Sequence, residues 1–239
     1  MTKHLDEDVV DVLKKILHIG GLVEDVIDRA LKSLLDRDEI EARRVIEGDA
    51  RVDQLELEVE EKCLDVLALR QPVAIDLRVV TGILKINSDL ERMADLAVNI
   101  AERAETLAKV PPLPFRPDVS EMATIVKKMV RDGLDALVRK DTHLAVDVWE
   151  RDDAADRLYR QIISECVPFM RSHPDRIDHV LHLLGAVRNL ERIADHATNI
   201  AEDVIFVVEG KIVRHRVLEV KQHILERQKN GSHPHTGGK

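Results

Sequence analysis

Two stretches of the chain, one hundred positions apart, carry the same acidic and amide side chains. They are Leu90-Glu91-Arg92-Met93-Ala94-Asp95-Leu96-Ala97-Val98-Asn99-Ile100-Ala101-Glu102 and Leu190-Glu191-Arg192-Ile193-Ala194-Asp195-His196-Ala197-Thr198-Asn199-Ile200-Ala201-Glu202. Both keep Glu-x3-Asp-x3-Asn-x2-Glu, and at about 100° per helical residue these four side chains fall within roughly 80° of one another. A packed core alone does not require those polar identities. Each copy therefore presents a carboxylate-rich stripe, whose oxygens are suited to binding a cation.

A second duplicated signature places further acids opposite this stripe. The segment Glu47-Gly48-Asp49-Ala50-Arg51-Val52-Asp53 aligns with Glu150-Arg151-Asp152-Asp153-Ala154-Ala155-Asp156 and preserves two acids four residues apart. Breaks near residues 71 and 173 lie about 20 residues from the acids on either side, so antiparallel helices bring the pairs level to within one turn. The sequence therefore predicts two acidic quartets, one comprising Asp49, Asp53, Glu91 and Asp95, the other Asp152, Asp156, Glu191 and Asp195.

The chemistry expected of such a quartet is metal binding. Carboxylates four residues apart on one helix repel each other, by about 0.2 to 0.5 kcal/mol when exposed, and four converging carboxylates repel more strongly. A cation would remove this repulsion, and oxygen-rich sites accept Mg, Ca, Mn and iron, whereas zinc more often takes His or Cys. His196 replaces Leu96 and is interpreted as peripheral to the site. Candidates for additional ligands are Asn99, Glu102, Asn199 and Glu202.

Helix-period patterning runs almost throughout and predicts an all-α protein without a β-sheet. Proline and glycine breaks divide the chain into six long helices. Gly20-Gly21 forms a soft spot in the first helix, and Asp38 caps a second helix that continues to Gln71-Pro72. Pro168 is expected to kink the fifth helix. The six predicted helices span about 6–35, 38–71, 72–108, 118–139, 141–170 and 175–208.

The segment Pro111–Pro117 contains four prolines in seven residues and predicts a semi-rigid linker between two similar halves. The predicted organisation is a first repeat over 1–110, the linker over 111–117, a second repeat over 118–216 and a C-terminal extension over 217–239. A short helix is expected over about 217–228 within that extension. The end from Asn230 to Lys239 has the composition of a disordered tail.

Charge and composition exclude several classes of function. A formal net charge of −9 with only five aromatic residues argues against a nucleic-acid partner. No apolar run approaches the roughly 20 residues that span a bilayer, so a cytoplasmic protein is expected. Cys63 and Cys166 occupy the same register in the two halves and are predicted to be reduced and buried. No Ser, Cys or His constellation suggests covalent catalysis, and no G-x4-G-K-[ST] loop is present.

These motifs are similar to those of the PhoU family of regulators of phosphate uptake and phosphate-starvation signalling. The resemblance covers roughly residues 5 to 217 and rests on four groups of residues. They are His18-Ile19-Gly20-Gly21-Leu22-Val23-Glu24 with Arg44-Val45-Ile46-Glu47-Gly48-Asp49, then Arg70-Gln71-Pro72-Val73-Ala74-Ile75-Asp76-Leu77-Arg78, the two Leu-Glu-Arg-x-Ala-Asp cores, and Val208-Glu209-Gly210-Lys211-Ile212-Val213-Arg214-His215. Ala94 and Ala194 stand where the family often has Gly.

The resemblance implies two pseudo-symmetric three-helix bundles whose eight acids hold metal clusters of iron, manganese, magnesium or zinc. It also implies a negative regulator of the phosphate-starvation response, with no enzymatic activity. Such a protein is an adaptor between the ATPase subunit of a phosphate ABC transporter and a sensor histidine kinase. A homodimer is expected, which meets the membrane only through these partners. Asp76-Leu77-Arg78 has no full copy in the second half and is interpreted as a surface or partner feature.

Two alternatives remain open from the residues themselves. A ferritin-like di-iron carboxylate protein would supply Glu-x-x-His motifs. None of the eleven histidines has Glu three residues before it, which disfavours that class. A metal-free helical interaction module, with its acids on solvated faces, is the other alternative.

Overall fold

A computed structural model of the chain describes residues 3–48, 50–115 and 117–210. Within these residues all regular structure is helical, which confirms the predicted all-α class. A 3-10 turn, Pro174–Arg176, precedes the last helix. The helices are α1 Lys3–Asp36, α2 Glu39–Glu47, α3 Ala50–Arg70, α4 Ala74–Ala108, α5 Val119–Arg139, α6 Thr142–Ser172 and α7 Ile177–Glu209. The predicted helix over 217–228 lies outside the described residues.

The helices form two antiparallel bundles joined along α4 and α7. Helices α1 to α4 pack together in the first half and α5 to α7 in the second, while α4 against α7 is the most extensive helix contact. The two central helices run antiparallel: Lys85 Nζ lies 2.9 Å from Asp203 Oδ1, and Asp89, further along α4, contacts His196, which is earlier on α7. A Cβ on Gly82 would lie 2.4 Å from Val207 Cγ2, so glycine permits this close approach. One hydrophobic core runs through both halves.

The sequence predicted one continuous helix over 38–71. This prediction was wrong in one respect, because the structure divides that helix into two. Helix α2 ends at Glu47, Gly48 is its C-cap, and α3 begins at Ala50. The Gly48 N–H donates to Val45 O at 3.2 Å, a tightened i to i−3 bond. Glycine in a helix interior costs about 1 kcal/mol relative to Ala, which favours a helix end at this position.

The Gly20-Gly21 pair, predicted as a soft spot, leaves α1 uninterrupted. A Cβ on Gly20 would lie 2.9 Å from two Leu134 side-chain carbons on α5. The glycine therefore serves a packing contact between the two halves rather than a break. Helix α6 likewise continues through Pro168 to Ser172.

The first two helices of each half are connected by the same kind of turn. Arg37 and Lys140 adopt left-handed backbone conformations with φ of 58° and 53°. The next residue is an aspartate that caps the following helix. Asp38 Oδ1 accepts from the N–H groups of Ile40 and Glu41, both at 3.0 Å, and Asp141 does the same for His143 and Leu144.

Replacing either cap, Asp38→Ala or Asp141→Ala, is expected to lower the free energy of unfolding by about 1 kcal/mol, because two helix N–H groups lose their acceptor. Asparagine retains the acceptor, so Asp38→Asn and Asp141→Asn are matched controls that should stay near wild type. Urea unfolding measures both effects. A loss in the Asn variants equal to that in the Ala variants would contradict the capping role.

Candidate metal centre

The second half brings its four predicted acids together between α6 and α7. Asp152 has its pKa raised to about 6 by burial and by the neighbouring charges of Asp195 and Asp156. The pKa of Glu191 is also raised by burial, then by Asp195 and Asp156. Desolvation and Asp156 raise the pKa of Asp195. Because acids on one helix shift acids on the other, the antiparallel pair places all four carboxyl groups in one electrostatic cluster.

In the first half, Glu91 and Asp95 on α4 face Asp53 on α3. Burial raises the pKa of Glu91, and the charges of Asp95, Glu56 and Asp53 raise it further. Asp49 lies outside the described residues, so the structure places three of the four predicted acids of this quartet.

Sequence reasoning missed two side chains beside the first quartet. Glu56, on α3, has its pKa raised by burial and then by Glu60 and Asp53. Asn87, on α4, donates from Nδ2 to the Glu56 backbone oxygen at 2.9 Å and to Glu56 Oε1 at 3.3 Å. Their register counterparts are Tyr159 and Val187, so the duplication gave no signal for them. The available signal was their spacing, since Glu56 lies one helical turn after Asp53 and Asn87 one turn before Glu91.

The donor set fits a cation. Asn87 is 1% exposed, and among the described residues its Oδ1 has no hydrogen-bond donor. A buried amide oxygen without a donor, one turn before Glu91, has the chemistry of an additional uncharged ligand for a hard metal ion. This oxygen, with the carboxylates around it, makes the first half chemically suited to Mg, Mn or iron.

Few basic side chains neutralise the quartets. Arg92 Nε lies 3.5 Å from Glu91 Oε2, and Arg160 Nη2 lies 2.6 Å from Asp156 Oδ2. Both arginine side chains are well exposed, so these contacts screen only weakly. In the part of the chain that the structure describes, no Lys or Arg forms an ion pair with the remaining quartet acids Asp53, Asp95, Asp152, Glu191 and Asp195.

The candidate additional ligands have different surroundings. Asn99 Nδ2 donates to Asp95 O at 2.8 Å, an ordinary helix-surface bond. Asn199 Nδ2 donates to Asp89 Oδ1 at 3.2 Å, and His196 Nδ1 lies 2.7 Å from the same oxygen. Asn199 and His196 therefore connect α7 to α4. Glu102 is exposed and Glu202 is half-buried.

The described quartet acids lie near one another but are not arranged as a coordination shell. Within residues 3–48, 50–115 and 117–210, no three His, Cys, Asp or Glu side chains are arranged so that they could hold one metal ion. Like charges in a partly desolvated cluster raise each other's free energy. The helices set the acids level, while the side chains are not preorganised into a coordination shell.

The raised pKa of Asp152 predicts an unusual pH dependence of stability for the metal-free protein. At Asp152 the folded state binds more protons than the unfolded state between pH about 4 and about 6, so the stability that this group contributes falls as pH rises through this range. After allowance for solvent screening the loss is about 1 to 2 kcal/mol. Asp152→Asn should flatten this dependence and raise stability at pH about 7.5, since it removes the repelled charge.

Urea unfolding of chelator-treated protein across this pH range measures the effect. Glu165→Gln is the matched control, because Glu165 is an exposed acid on the same helix. The same pH dependence of stability in wild type and in Asp152→Asn would contradict the assignment.

The two cysteine thiols are buried, as predicted. Cys63 and Cys166 are fully buried and unpaired. Burial raises the pKa of Cys63 to about 12 and that of Cys166 to about 11. Among the described helices, none is both long and apolar enough to cross a membrane.

The fold and site define a class of helical scaffold protein in which two similar bundles each present an acidic cluster. The family model for the PhoU domain matches residues 16–104 and 119–204, and the chain belongs to the PhoU family. This confirms the resemblance noted from the motifs.

Relatives match over most of their length. A phosphate-specific transport system accessory protein PhoU homolog from Pseudomonas aeruginosa is 40% identical over 220 residues, covering 90% of this chain and 91% of the relative. A homolog of the same name from Aquifex aeolicus is 42% identical over 223 residues, covering 93% and 98%.

Two solved structures share the fold. The crystal structure of PhoU from Pseudomonas aeruginosa superposes with a TM-score of 0.83 at 40% identity and covers 86% of this chain and 99% of that one. The structure of the phosphate transport system regulatory protein PhoU from Streptococcus pneumoniae has a TM-score of 0.81 at 28% identity, covering 87% and 99%.

Proposed function

We propose that this protein is a metal-binding regulator of phosphate uptake and phosphate-starvation signalling. Its relatives are named as accessory proteins of the phosphate-specific transport system, and family membership gives this chain a role in the regulation of phosphate transport. The finer proposal is that it damps the starvation response when phosphate is plentiful. It acts in the cytoplasm as a homodimeric adaptor between the transporter's ATPase subunit and a sensor histidine kinase.

The observation that carries the metal proposal is the second quartet, where burial and the charges of neighbouring acids raise the pKa values of Asp152, Glu191 and Asp195. Desolvating unpaired carboxylates is costly, and a cluster of this kind is stabilised when a cation is bound. Asp152 and Asp156 on α6, with Glu191 and Asp195 on α7, would hold it. A bound cation supplies positive charge and no reaction is assigned to it.

Binding of a cation would affect the packing of the helices. With their charges neutralised, the carboxylates would no longer repel one another, so α6 could pack closer to α7 and α3 closer to α4. The inner helices α4 and α7 are also in contact with each other through Asp89, His196 and Asn199. Both acidic clusters therefore adjoin the same central helix pair, so a cation held by either quartet would act on the packing of α4 and α7.

A metal-free interaction module is the second candidate. It is favoured by the absence, among the described residues, of three side chains already arranged around one ion. The two candidate functions differ in whether the protein binds metal, and both include the regulatory role.

The regulatory role is tested by alkaline phosphatase output in phosphate-replete cells that lack this protein. We expect high output, restored to the low level by the wild-type chain, because the starvation response is no longer damped. Complementation with Asp95→Ala/Asp195→Ala then separates the two candidates, since only a metal-dependent regulator should fail to restore low output. Unchanged output in cells lacking the protein would contradict the regulatory role itself.

A further inference from the structure

A cavity of about 340 Å³, here called the junction cavity, lies where the two halves of the protein meet. Its walls come from the C-terminal ends of α1 and α4, the N-terminal ends of α5 and α7, and the proline-rich linker between the halves. Ligand sites typically measure about 300 to 1,000 Å³ and often lie between domains. The junction cavity therefore has the size and the position of a site for a small molecule.

The wall of the junction cavity is largely apolar. Leu34, Leu107 and Val119 line it and are buried, and the linker adds proline rings. Leu35 and Ser120 also line it and are exposed, so the cavity opens to solvent beside α1 and α5. Such a cavity accepts an apolar group in its interior, because binding removes the apolar surface of both partners from water.

The linker side of the cavity is held in place by two contacts. Arg37, in the turn after α1, donates from Nη2 to the backbone oxygens of Leu107 and Val110, which fixes the start of the linker. Further along the linker, the ring centroid of Phe115 lies 4.7 Å from that of Phe169 on α6. Because the wall is already ordered, a ligand would not bear the entropy cost of ordering a loop.

The charge of the junction cavity favours an anion. Its ionisable side chains are Arg37 and His179, and none of the described lining residues is an acid. This composition stands out in a chain whose formal net charge is −9. Within the described residues Arg37 uses only Nη2 for hydrogen bonds, which leaves its remaining N–H groups available to an acceptor.

His179 provides an independent sign of a missing partner. Its Nδ1 is buried and has no hydrogen-bond partner among the described residues. Buried polar atoms are nearly always hydrogen-bonded, because an unpaired one keeps the full cost of leaving water. His179 lines the junction cavity, so an oxygen of a bound ligand would supply the partner.

We propose that the junction cavity binds a small amphipathic carboxylate. The apolar body lies among the leucine and proline side chains, and the carboxylate accepts charge-assisted hydrogen bonds from Arg37 and His179. The ligand is a free acid, because an acyl chain esterified in a membrane lipid has no carboxylate. None of the described quartet acids lines the cavity, so this site does not depend on metal binding.

Octanoate binding to the chelator-treated full chain tests the proposal, with 1-octanol as the uncharged match and equilibrium dialysis as the measurement. We expect octanoate to bind about tenfold more tightly than 1-octanol, because only the acid pairs with Arg37 and His179. From hexanoate to octanoate the affinity should rise about fourfold for each added methylene. Equal affinities for octanoate and 1-octanol, or no binding of octanoate at millimolar concentration, would overturn the proposal.

Two tryptophan variants on α5 locate the binding site. Ser120→Trp places an indole at the mouth of the cavity and should weaken octanoate binding at least about tenfold. Thr124→Trp is the matched control, since Thr124 is one turn further along α5 and does not line this cavity. Both positions are exposed, and circular dichroism checks that both variants fold. Equal octanoate affinities in these variants and wild type would place binding elsewhere and contradict the proposal.

Arg37→Gln separates the charge from the apolar cavity. We expect its octanoate affinity to fall to about that of 1-octanol, while its affinity for 1-octanol stays near wild type. An unchanged preference for octanoate in Arg37→Gln would contradict the role of the guanidinium group.

Inorganic phosphate is the competitor that separates an amphipathic acid from a simple anion. Phosphate lacks an apolar body, so millimolar phosphate should leave octanoate bound. Displacement of octanoate by phosphate would overturn the assignment, because it would show a general anion site.

Discussion

Mn²⁺ added to the chelator-treated protein is expected to raise the free energy of unfolding by about 2.7 kcal/mol at a free concentration one hundred times its Kd. The reason is that the folded state alone brings the quartet carboxylates together. Metal ligands must be deprotonated, so at one fixed Mn²⁺ concentration the gain should be larger at pH about 7.5 than at pH about 5.5, opposite to the contribution of Asp152 in the metal-free protein.

Asp152→Asn sharpens this test because its two effects have opposite signs. The variant should be more stable than wild type without metal, since a repelled charge is gone, and should gain less from Mn²⁺, since a ligand is gone. Glu165→Gln should behave as wild type under both conditions. Equal gains from Mn²⁺ in all three proteins would contradict binding at the quartet.

Leu190→Ala is expected to lower the free energy of unfolding by about 2 to 5 kcal/mol, through lost apolar burial and the cavity left behind. Leu190 is 1% exposed and begins the duplicated motif whose acids lie on the other side of α7. The motif thus contributes one core side chain, Leu190, and two candidate ligands, Glu191 and Asp195, within less than two turns of helix. Leu90, its counterpart on α4, is fully buried and should behave in the same way.

Leu181→Ala is the matched control for this substitution, since Leu181 lies on the same helix but is 52% exposed, and its loss should cost less than about 0.5 kcal/mol. Urea unfolding at constant pH and metal content compares the variants. Equal stabilities of Leu190→Ala and wild type would show that the motif's leucine is not a core residue.

Local signals account for what the sequence predicted correctly. Helix identity followed from apolar periodicity, and the breaks followed from prolines and from cap residues such as Asp38 and Asp141. These features act within a few residues of themselves. The duplication then placed the acids of α6 and α7 level, because two helices joined by a short turn have a fixed relative height.

Contacts between distant residues account for what the sequence did not predict. The division between α2 and α3 is an exception with a local cause, since it lies at Gly48 and glycine is unfavourable in a helix interior. Glu56 and Asn87 acquire their importance from burial against each other across α3 and α4, and Tyr159 and Val187 at the matching positions hid them from a comparison of the repeats. Gly20 is another case, since its role is set by Leu134 on a helix of the other half.

Metal content of protein purified without added metal tests the central claim most directly. Wild type, Asp95→Ala/Asp195→Ala and the control Asp65→Ala/Glu165→Ala would be compared by elemental analysis, the control removing two exposed acids elsewhere on α3 and α6. The account predicts that wild type and control retain iron, manganese, magnesium or zinc and that the Asp95/Asp195 variant loses it. Equal metal contents in all three proteins would contradict the claim that the acidic quartets bind metal.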